Sequence, residues 1–280
     1  MKQNALSVAV EMTRQSKRRA KALLDKENNR IWLALAICMW IASAGAVYML
    51  GGALVYAADE SIFTAEPSVL AVGLMLLSYA LMLVLALLVL VPMAGGVVLL
   101  AWYVYEGRGL EAADLLVAFD SPKRYLHCMR LGFRGLACPV LTVAAFVLGC
   151  IAVPSAVAQA VTQTIEAYPG QENAMYVLSW LAYAGAALIG IAAVVLILFL
   201  FRNAHLTSAY MARGMGRREA KNATKELLAN SGCGSVYYRL SFVGHIILAV
   251  PTVGVSAVVC SIPLALLGNQ FACDFQKTQE

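Results

Sequence analysis

The sequence predicts an all-α fold: a polytopic transmembrane helical bundle of about five spans, with kinked helices and additional cytoplasmic amphipathic helices. Two observations lead to this prediction. The 280 residues are 61% hydrophobic and 13% charged, whereas soluble domains are about 25% charged. In addition, the stretch Val69–Tyr105 contains no charged residue, and about 20 apolar residues are enough for a helix to cross a bilayer.

Polar segments divide the chain into predicted domains. Residues 1–30 are expected to form a basic cytoplasmic helix, residues 31–268 a transmembrane domain, and residues 269–280 a short extracytoplasmic tail. Each apolar run between polar segments is long enough for a membrane helix. The predicted spans lie at 31–57, 69–105, 135–161, 175–201 and 240–267.

The distribution of basic residues predicts the orientation. If 69–105 crosses once, every Lys and Arg except Lys277 lies on the face of the N-terminus, in residues 1–30, 106–134 and 202–239. A second crossing would divide these segments between the two faces, against the preference of Lys and Arg for the cytoplasm. We therefore predict a cytoplasmic N-terminus and an extracytoplasmic C-terminus. The excess length of 69–105 fits either one span kinked at Pro92 or a span with a re-entrant segment.

A second basic helix is predicted over Gly216–Asn230. Arg217, Lys221 and Lys225 recur every four residues, so they share one helix face, and Arg218 lies beside them. Such a face can bind lipid phosphates or the acidic surface of a partner protein. A charge block that only orients the chain in the membrane is the simpler interpretation.

A stripe of small residues is predicted on the fourth span. Ala182, Ala186 and Gly190 recur every four residues, which lets another helix approach closely. The expected partners are membrane lipids, with a membrane protein or a second copy of the chain as further possibilities. Nucleic acid is not an expected partner, because the basic residues flank apolar runs as membrane topology requires.

Two sets of helix-breaking residues suggest an alternative function. Pro92, Gly95 and Gly96 interrupt the longest apolar run, and Pro251 and Gly254 interrupt the last one. Unwound helix segments of this kind expose backbone carbonyls that coordinate ions in transporters. A kink with close helix packing accounts for the same residues, and no internal repeat relates the two stretches. A transporter or permease-like component is therefore the alternative hypothesis.

The sequence shows no signature of catalysis, of a cofactor or of a metal site. The P-loop, zinc-protease and nucleophile-elbow motifs are absent. His127 and His205 have no neighbours at metal-ligand spacing, and His245, near the start of the last span, is expected to be structural. The cysteines form no C-x-x-C pair, and only Cys273 falls on the predicted outer side. We expect a protein that is not an enzyme.

Three stretches share their pattern with a known family. Arg18–Leu24 matches a basic segment before a first span, and Phe119–Tyr125 a short segment before middle spans. Glu219–Lys221 through Leu240–Gly244 matches a basic helix, a turn and the start of a last span. In these features the chain resembles domain-of-unknown-function family 975, uncharacterised bacterial multi-pass membrane proteins. His245 stands where that family usually has Trp. The resemblance implies a polytopic helical fold and no activity.

The leading hypothesis is a non-enzymatic integral protein of the bacterial plasma (inner) membrane. It is expected to act through lipids or through a partner protein. The absence of catalytic motifs, the small-residue stripe and the basic helices favour this hypothesis.

Overall fold

The computed structural model describes residues 5–26, 28–59, 69–147, 172–200, 203–231, 237–238, 241, 252 and 254–275. Within these ranges the chain is helical and contains no strand, which confirms the predicted all-α class. Two compact units are present. The larger unit comprises Met1–Gly135 and His205–Glu280, and the smaller one comprises Leu136–Ala204.

The described ranges contain nine α-helices: α1 (Ala5–Leu24), α2 (Asn29–Asp59), α3 (Val69–Leu85), α4 (Val91–Tyr105), α5 (Pro122–Val147), α6 (Glu172–Leu200), α7 (Ala204–Ala212), α8 (Arg217–Ser231) and α9 (Ile262–Cys273). A π-helical segment of five residues directly precedes α4, at Ala86–Leu90, and another precedes α9, at Ala257–Ser261. A 3₁₀ segment covers Ala112–Phe119.

α1 is the predicted basic helix of the N-terminus, and it packs against α8 and α9. Ala9, Met12, Ser16 and Ala20 are buried, and their spacing of three or four residues places them on one face. The opposite face is charged and exposed, at Arg14, Arg18, Arg19 and Lys21. The apolar stripe of α1 is therefore covered by protein.

α2 and α3 pack against each other in opposite directions. The indole Nε1 of Trp40 donates a hydrogen bond to the carbonyl of Leu90 at 3.0 Å. Further along α2, the side chain of Met82 in α3 occupies the space that a Cβ at Gly51 would need. The outward surface is apolar and exposed, for example at Tyr48, Met49, Leu76 and Leu77.

Burial changes abruptly along both of these helices. In α2, Leu33 and Ile37 are buried, whereas most side chains beyond Cys38 are exposed or half-buried. α3 and the π segment at Ala86–Leu90 likewise present exposed apolar side chains, whereas α4 is largely buried. We call Cys38–Ala53 together with Leu76–Leu90 the exposed apolar section. The packed layer is α1, α4, α7, α8, α9 and the start of α2.

The change in burial within 69–105 explains why this apolar run is so long. α3 and its π segment contain 17 and five residues, about 33 Å of helix, which is enough to cross about 30 Å of hydrocarbon. α4 continues the same helix into the packed layer, where the 3₁₀ segment and α9 contact it. The run therefore exceeds one span because its last 15 residues lie among other helices.

The C-terminal helix lies at the end of the predicted last span. α9 and α4 pack against each other, with the rings of Phe271 and Tyr105 in edge contact at 4.9 Å between centroids. The buried side chain of Tyr238 donates from its hydroxyl to the carbonyl of Ala265 at 3.2 Å. Tyr238 precedes the predicted span 240–267 and Ala265 lies near its far end, so this contact brings residues near the two ends of the apolar run together. The membrane crossing at 240–267 stays a prediction.

The described start of the predicted extracytoplasmic tail 269–280 is helical. Gln270, Ala272 and Phe275 are buried in the larger unit. Residues up to Cys273 belong to α9. The helix continues past the end of the apolar run because polar residues of α9 face other helices, and the extracytoplasmic location of the tail stays a prediction.

The smaller unit contains α6, an apolar helix with little cover. Only 6% of the stretch Ser179–Ile197 is buried. Large side chains such as Trp180 and Ile189 are more than 70% exposed. A surface of this kind is stable in lipid or against a partner, and unfavourable in water.

Three helices in the described ranges are long and apolar enough to cross a membrane: Asn29–Ala53, Leu76–Tyr105 and Ser179–Ile197. They correspond to the predicted spans 31–57, 69–105 and 175–201. α5 covers the start of the predicted span 135–161, and the part after Val147 lies outside the described residues. The structure thus supports three of the five predicted spans.

Candidate functional site

α8 carries the predicted basic face, and its start is well defined. The chain turns at Gly214, whose φ of +84° suits a residue without a Cβ. The carboxylate of Glu219 then accepts a hydrogen bond from the backbone N–H of Gly216 at 3.0 Å. This contact satisfies an N–H that a helix start leaves unpaired, and it fixes the register of α8.

The register of α8 turns its basic residues outward. Ala220, Thr224 and Leu227 form the buried face, and the hydroxyl of Thr224 lies 3.3 Å from that of Thr207 in α7. The predicted basic residues are all exposed: Arg217, Arg218, Lys221 and Lys225. Binding of lipid or of a partner protein by these four residues stays a prediction.

Arg134 of α5 lies near this face. Partial burial and the positive charge of Arg217 lower the pKa of the Arg134 guanidinium, because both effects disfavour a charged group. The ion pairs found among the described residues involve neither Arg134 nor the basic residues of α8. We call Arg134, Arg217, Arg218, Lys221 and Lys225 the basic surface. An anion bound here would relieve the repulsion between the two arginines.

A charged cluster that the sequence did not reveal lies where α4, α7 and α9 meet. Arg213, just after α7, donates from Nη1 to the carboxylate of Asp274 at 2.6 Å. Its Nε donates to Oε1 of Gln270 at 3.0 Å, and its Nη2 to the backbone carbonyl of Gln270 at 2.5 Å. The Arg213 and Asp274 side chains are 11% and 17% exposed, so this ion pair is largely shielded from water.

Aromatic rings surround the Arg213 guanidinium. Its Cζ lies 5.0 to 5.7 Å from the ring centroids of Trp102, Tyr105 and Tyr210, within the range of cation–π attraction. The hydroxyl of Tyr105 donates a hydrogen bond to the Asp274 carboxylate. Cys273, predicted to lie on the outer side, is instead buried beside this cluster, and its carbonyl accepts a hydrogen bond from Tyr210 at 3.0 Å.

The cluster around Arg213 has a structural role. Burial lowers the pKa of Arg213, but the hydrogen bond and the charge of Asp274 outweigh burial and leave that pKa raised. The guanidinium is therefore permanently charged and paired. With no proton to transfer near neutral pH, Arg213 joins three helices instead of serving as an acid or a base.

Neighbouring side chains hydrogen-bond to the backbone carbonyls near the predicted break at Pro92. Proline has no N–H, so the carbonyl of Leu88 lacks its usual donor from four residues later. The hydroxyl of Tyr125 in α5 donates to this carbonyl at 2.9 Å, and the carbonyl of Leu90 receives the Trp40 bond described above. Two carbonyls that an ion site at this break would use are therefore already hydrogen-bonded to side chains.

Gly95 and Gly96 allow close contact between helices. A Cβ at Gly95 would lie 1.9 Å from the backbone oxygen of Cys128 in α5, and a Cβ at Gly96 would lie 3.4 Å from the Cβ of Ala118. α4 therefore crosses α5 with backbone against backbone. These contacts support the interpretation of a kink with close packing.

The second predicted break is only partly within the described residues. Pro251 lies outside the described residues, and Gly254, with φ of +82°, forms the turn before the second π segment. The structural counterpart of Pro92 is Pro263: each is the second residue of a helix that follows a five-residue π segment. Sequence reasoning missed this pairing because the π segments leave no distinct composition signal.

The small-residue stripe lies on α6 in the smaller unit. Ala182 is exposed, Ala186 is half-buried and Gly190 is buried. The three residues do not share one level of burial within the described part of the chain. Their role in helix packing stays a prediction.

The histidines have no metal-site geometry in the described part of the chain. No group of three or more His, Cys, Asp or Glu residues there could hold a metal ion. Burial and the nearby charge of Arg130 lower the pKa of His127. The ring of His205 stacks on that of Tyr238 at 5.9 Å between centroids, while His245 lies outside the described residues.

Comparison of the chain with protein-family models, with curated proteins and with solved structures finds no match. The resemblance to family 975 therefore stays a prediction, and any function must be argued from the chain itself.

Proposed function

We propose that the chain is a non-enzymatic integral membrane protein of the bacterial plasma membrane that binds anionic lipid headgroups through its basic surface, with the N-terminus in the cytoplasm. The observation behind this proposal is the arrangement of α8. One face is buried against the packed layer, and the other presents four basic side chains beside Arg134. Phosphate groups are the natural ligands of such a surface next to a bilayer.

The exposed apolar section supports the membrane part of the proposal. Exposed apolar side chains on α2, α3 and α6 require a hydrocarbon environment. Each Lys or Arg near an anionic surface contributes about 1 kcal/mol to attraction, so four exposed residues together favour anionic over neutral lipid strongly. Binding by this route needs no catalytic group.

Native mass spectrometry of the purified protein tests the proposal. The protein is extracted in a mild detergent and presented with an equal mixture of phosphatidylglycerol and phosphatidylcholine. We expect wild-type protein to retain phosphatidylglycerol preferentially. Replacing Arg217, Arg218, Lys221 and Lys225 with Gln should reduce this preference at least tenfold.

A matched variant controls for net charge. Replacing Arg14, Arg18, Arg19 and Lys21 of α1 with Gln removes the same number of exposed charges from another helix. We expect this control to keep most of the lipid preference. An equal loss in both variants, or no loss in either, would reject a site on α8. Loss of a stoichiometric protein from the α8 variant alone would identify a partner protein as its ligand instead.

A further inference from the structure

The C-terminal part of the larger unit shows where the chain approaches the membrane. Ile262 is 37% exposed and Val255 62% exposed, whereas Pro263, Leu267 and Gln270 are buried. Burial therefore changes at Pro263, as it does at Val91 in the helix 69–105. The described residues Gly254–Ile262 continue the apolar surface of the exposed apolar section, and the π segment before Pro263 contacts α2.

The exposed apolar part is too short to cross a bilayer. From Gly254 to Pro263 the helix rises about 13 Å, less than half of the roughly 30 Å of hydrocarbon. α3 with its π segment, by contrast, is long enough to cross.

Tyr238 and Ser241, which precede this part of the chain, lie in the packed layer. Nζ of Lys17 in α1 donates to the carbonyl of Ser241 at 2.8 Å, and Tyr238 donates to Ala265 of α9. A Cβ at Gly268 would lie 2.1 Å from the Tyr238 hydroxyl. Tyr238 and Ser241 are therefore neighbours of α1 and α9.

The turn at Gly254, before the second π segment, hydrogen-bonds several of its own backbone groups. The N–H of Val255 donates to the carbonyl of Thr252 at 3.0 Å, and the N–H of Ser256 donates to the Thr252 hydroxyl at 3.3 Å. Gly254 accepts from the N–H groups of Ala257 and Val258. Unpaired backbone groups are costly in lipid, so this bonding suits a turn placed inside the membrane.

We infer that Tyr238, Ser241 and α9 lie on the membrane face of the basic helices, so that the chain makes no net crossing of the membrane between Ser241 and Pro263. The C-terminus then lies on the same face as the N-terminus, opposite to the prediction from the charge count. The contacts of Asp274 with Arg213 and Tyr105 agree with this arrangement, because both partners belong to that face. The inference rests on the membrane location proposed above.

Protease protection in sealed membrane vesicles of one orientation tests the inference. Four full-length variants each carry one short epitope: before Met1, within the exposed turn Gly214–Gly216, within residues 60–68, or after Glu280. We expect the first, second and fourth epitopes to be cleaved or protected together, and the epitope in 60–68 to behave in the opposite way.

Two results would overturn the inference. If the C-terminal epitope behaves like the one in 60–68, residues 240–267 cross the membrane fully. If all four epitopes are cleaved from the same side, α2 and α3 do not cross, and the proposed membrane location fails as well. Loss of lipid preference in the α8 variant is independent of both results, so a failure of headgroup binding remains distinguishable.

Discussion

The guanidinium of Arg213 and the carboxylate of Asp274 lie 2.6 Å apart, although 61 residues separate them in the chain. Both side chains are mostly shielded from water, and Tyr105 of a third segment donates to the same carboxylate. The pair therefore fixes α9 against α4 and α7.

Removing one partner of this pair should destabilise the larger unit. Asp274→Asn leaves the Arg213 charge buried without compensation, which costs about 3–5 kcal/mol for a fully buried pair and somewhat less here. We expect the thermal unfolding midpoint in detergent to fall by several degrees. Arg213→Met combined with Asp274→Asn should cost less than the two single changes added together. Additive losses would show that the two residues do not act as a pair.

Close packing at Gly95 gives a second prediction. A Cβ there would meet the backbone oxygen of Cys128 at 1.9 Å, and backbone cannot move aside as a flexible side chain can. Gly95→Ala should therefore separate α4 from α5 and cost about 1–3 kcal/mol. Gly45→Ala is the matched control, because nothing lies within 4 Å of a Cβ at Gly45. Thermal unfolding of the two variants compares them directly. An unchanged midpoint in Gly95→Ala would contradict the close crossing.

The carbonyl of Leu88 gives a third prediction. Tyr125→Phe removes its hydroxyl donor and should cost about 1 kcal/mol. In a Pro92→Ala background the restored N–H can supply a donor, so the same change should cost less. Tyr48→Phe, at an exposed ring, should have no effect. Unfolding midpoints of these variants measure how strongly the effects of residues 92 and 125 depend on each other. Equal costs of Tyr125→Phe in both backgrounds would show that the restored N–H does not replace the Tyr125 hydroxyl as the donor to Leu88.

The sequence was sufficient for the parts of the fold that depend on composition. Apolar runs long enough to cross a bilayer predicted α2, the helix 69–105 and α6. The helical spacing of Arg217, Lys221 and Lys225 predicted the exposed face of α8, because local periodicity decides which residues share a helix face. The absence of charge in 69–105 also predicted a run of membrane length disturbed near Pro92, with one kinked span and a span plus a re-entrant segment left open.

The sequence could not predict the features that depend on tertiary contacts. The last apolar run, 240–267, has the length and composition of a span, and only the contact of Tyr238 with Ala265 shows that its ends are neighbours. The Arg213 cluster draws on three distant segments, so no local pattern reveals it. The polar residues Asn269 and Gln270 were the one available signal, since side chains of this kind inside an apolar helix usually have partners.

His127 gives a prediction about pH. Burial and the charge of Arg130 hold its pKa below the ordinary value of 6.5, so the folded protein keeps this imidazole neutral where the unfolded chain takes up a proton. The unfolded state then binds more protons below about pH 6.5, and the free energy of unfolding falls as the pH falls towards the folded pKa. We expect the thermal unfolding midpoint to decrease more steeply between pH 7 and pH 5 in the wild type than in His127→Gln, which cannot titrate there. The difference between the two curves isolates His127 from the carboxylates, which titrate in both proteins. Parallel curves would show that His127 is equally able to accept a proton in the folded and unfolded states.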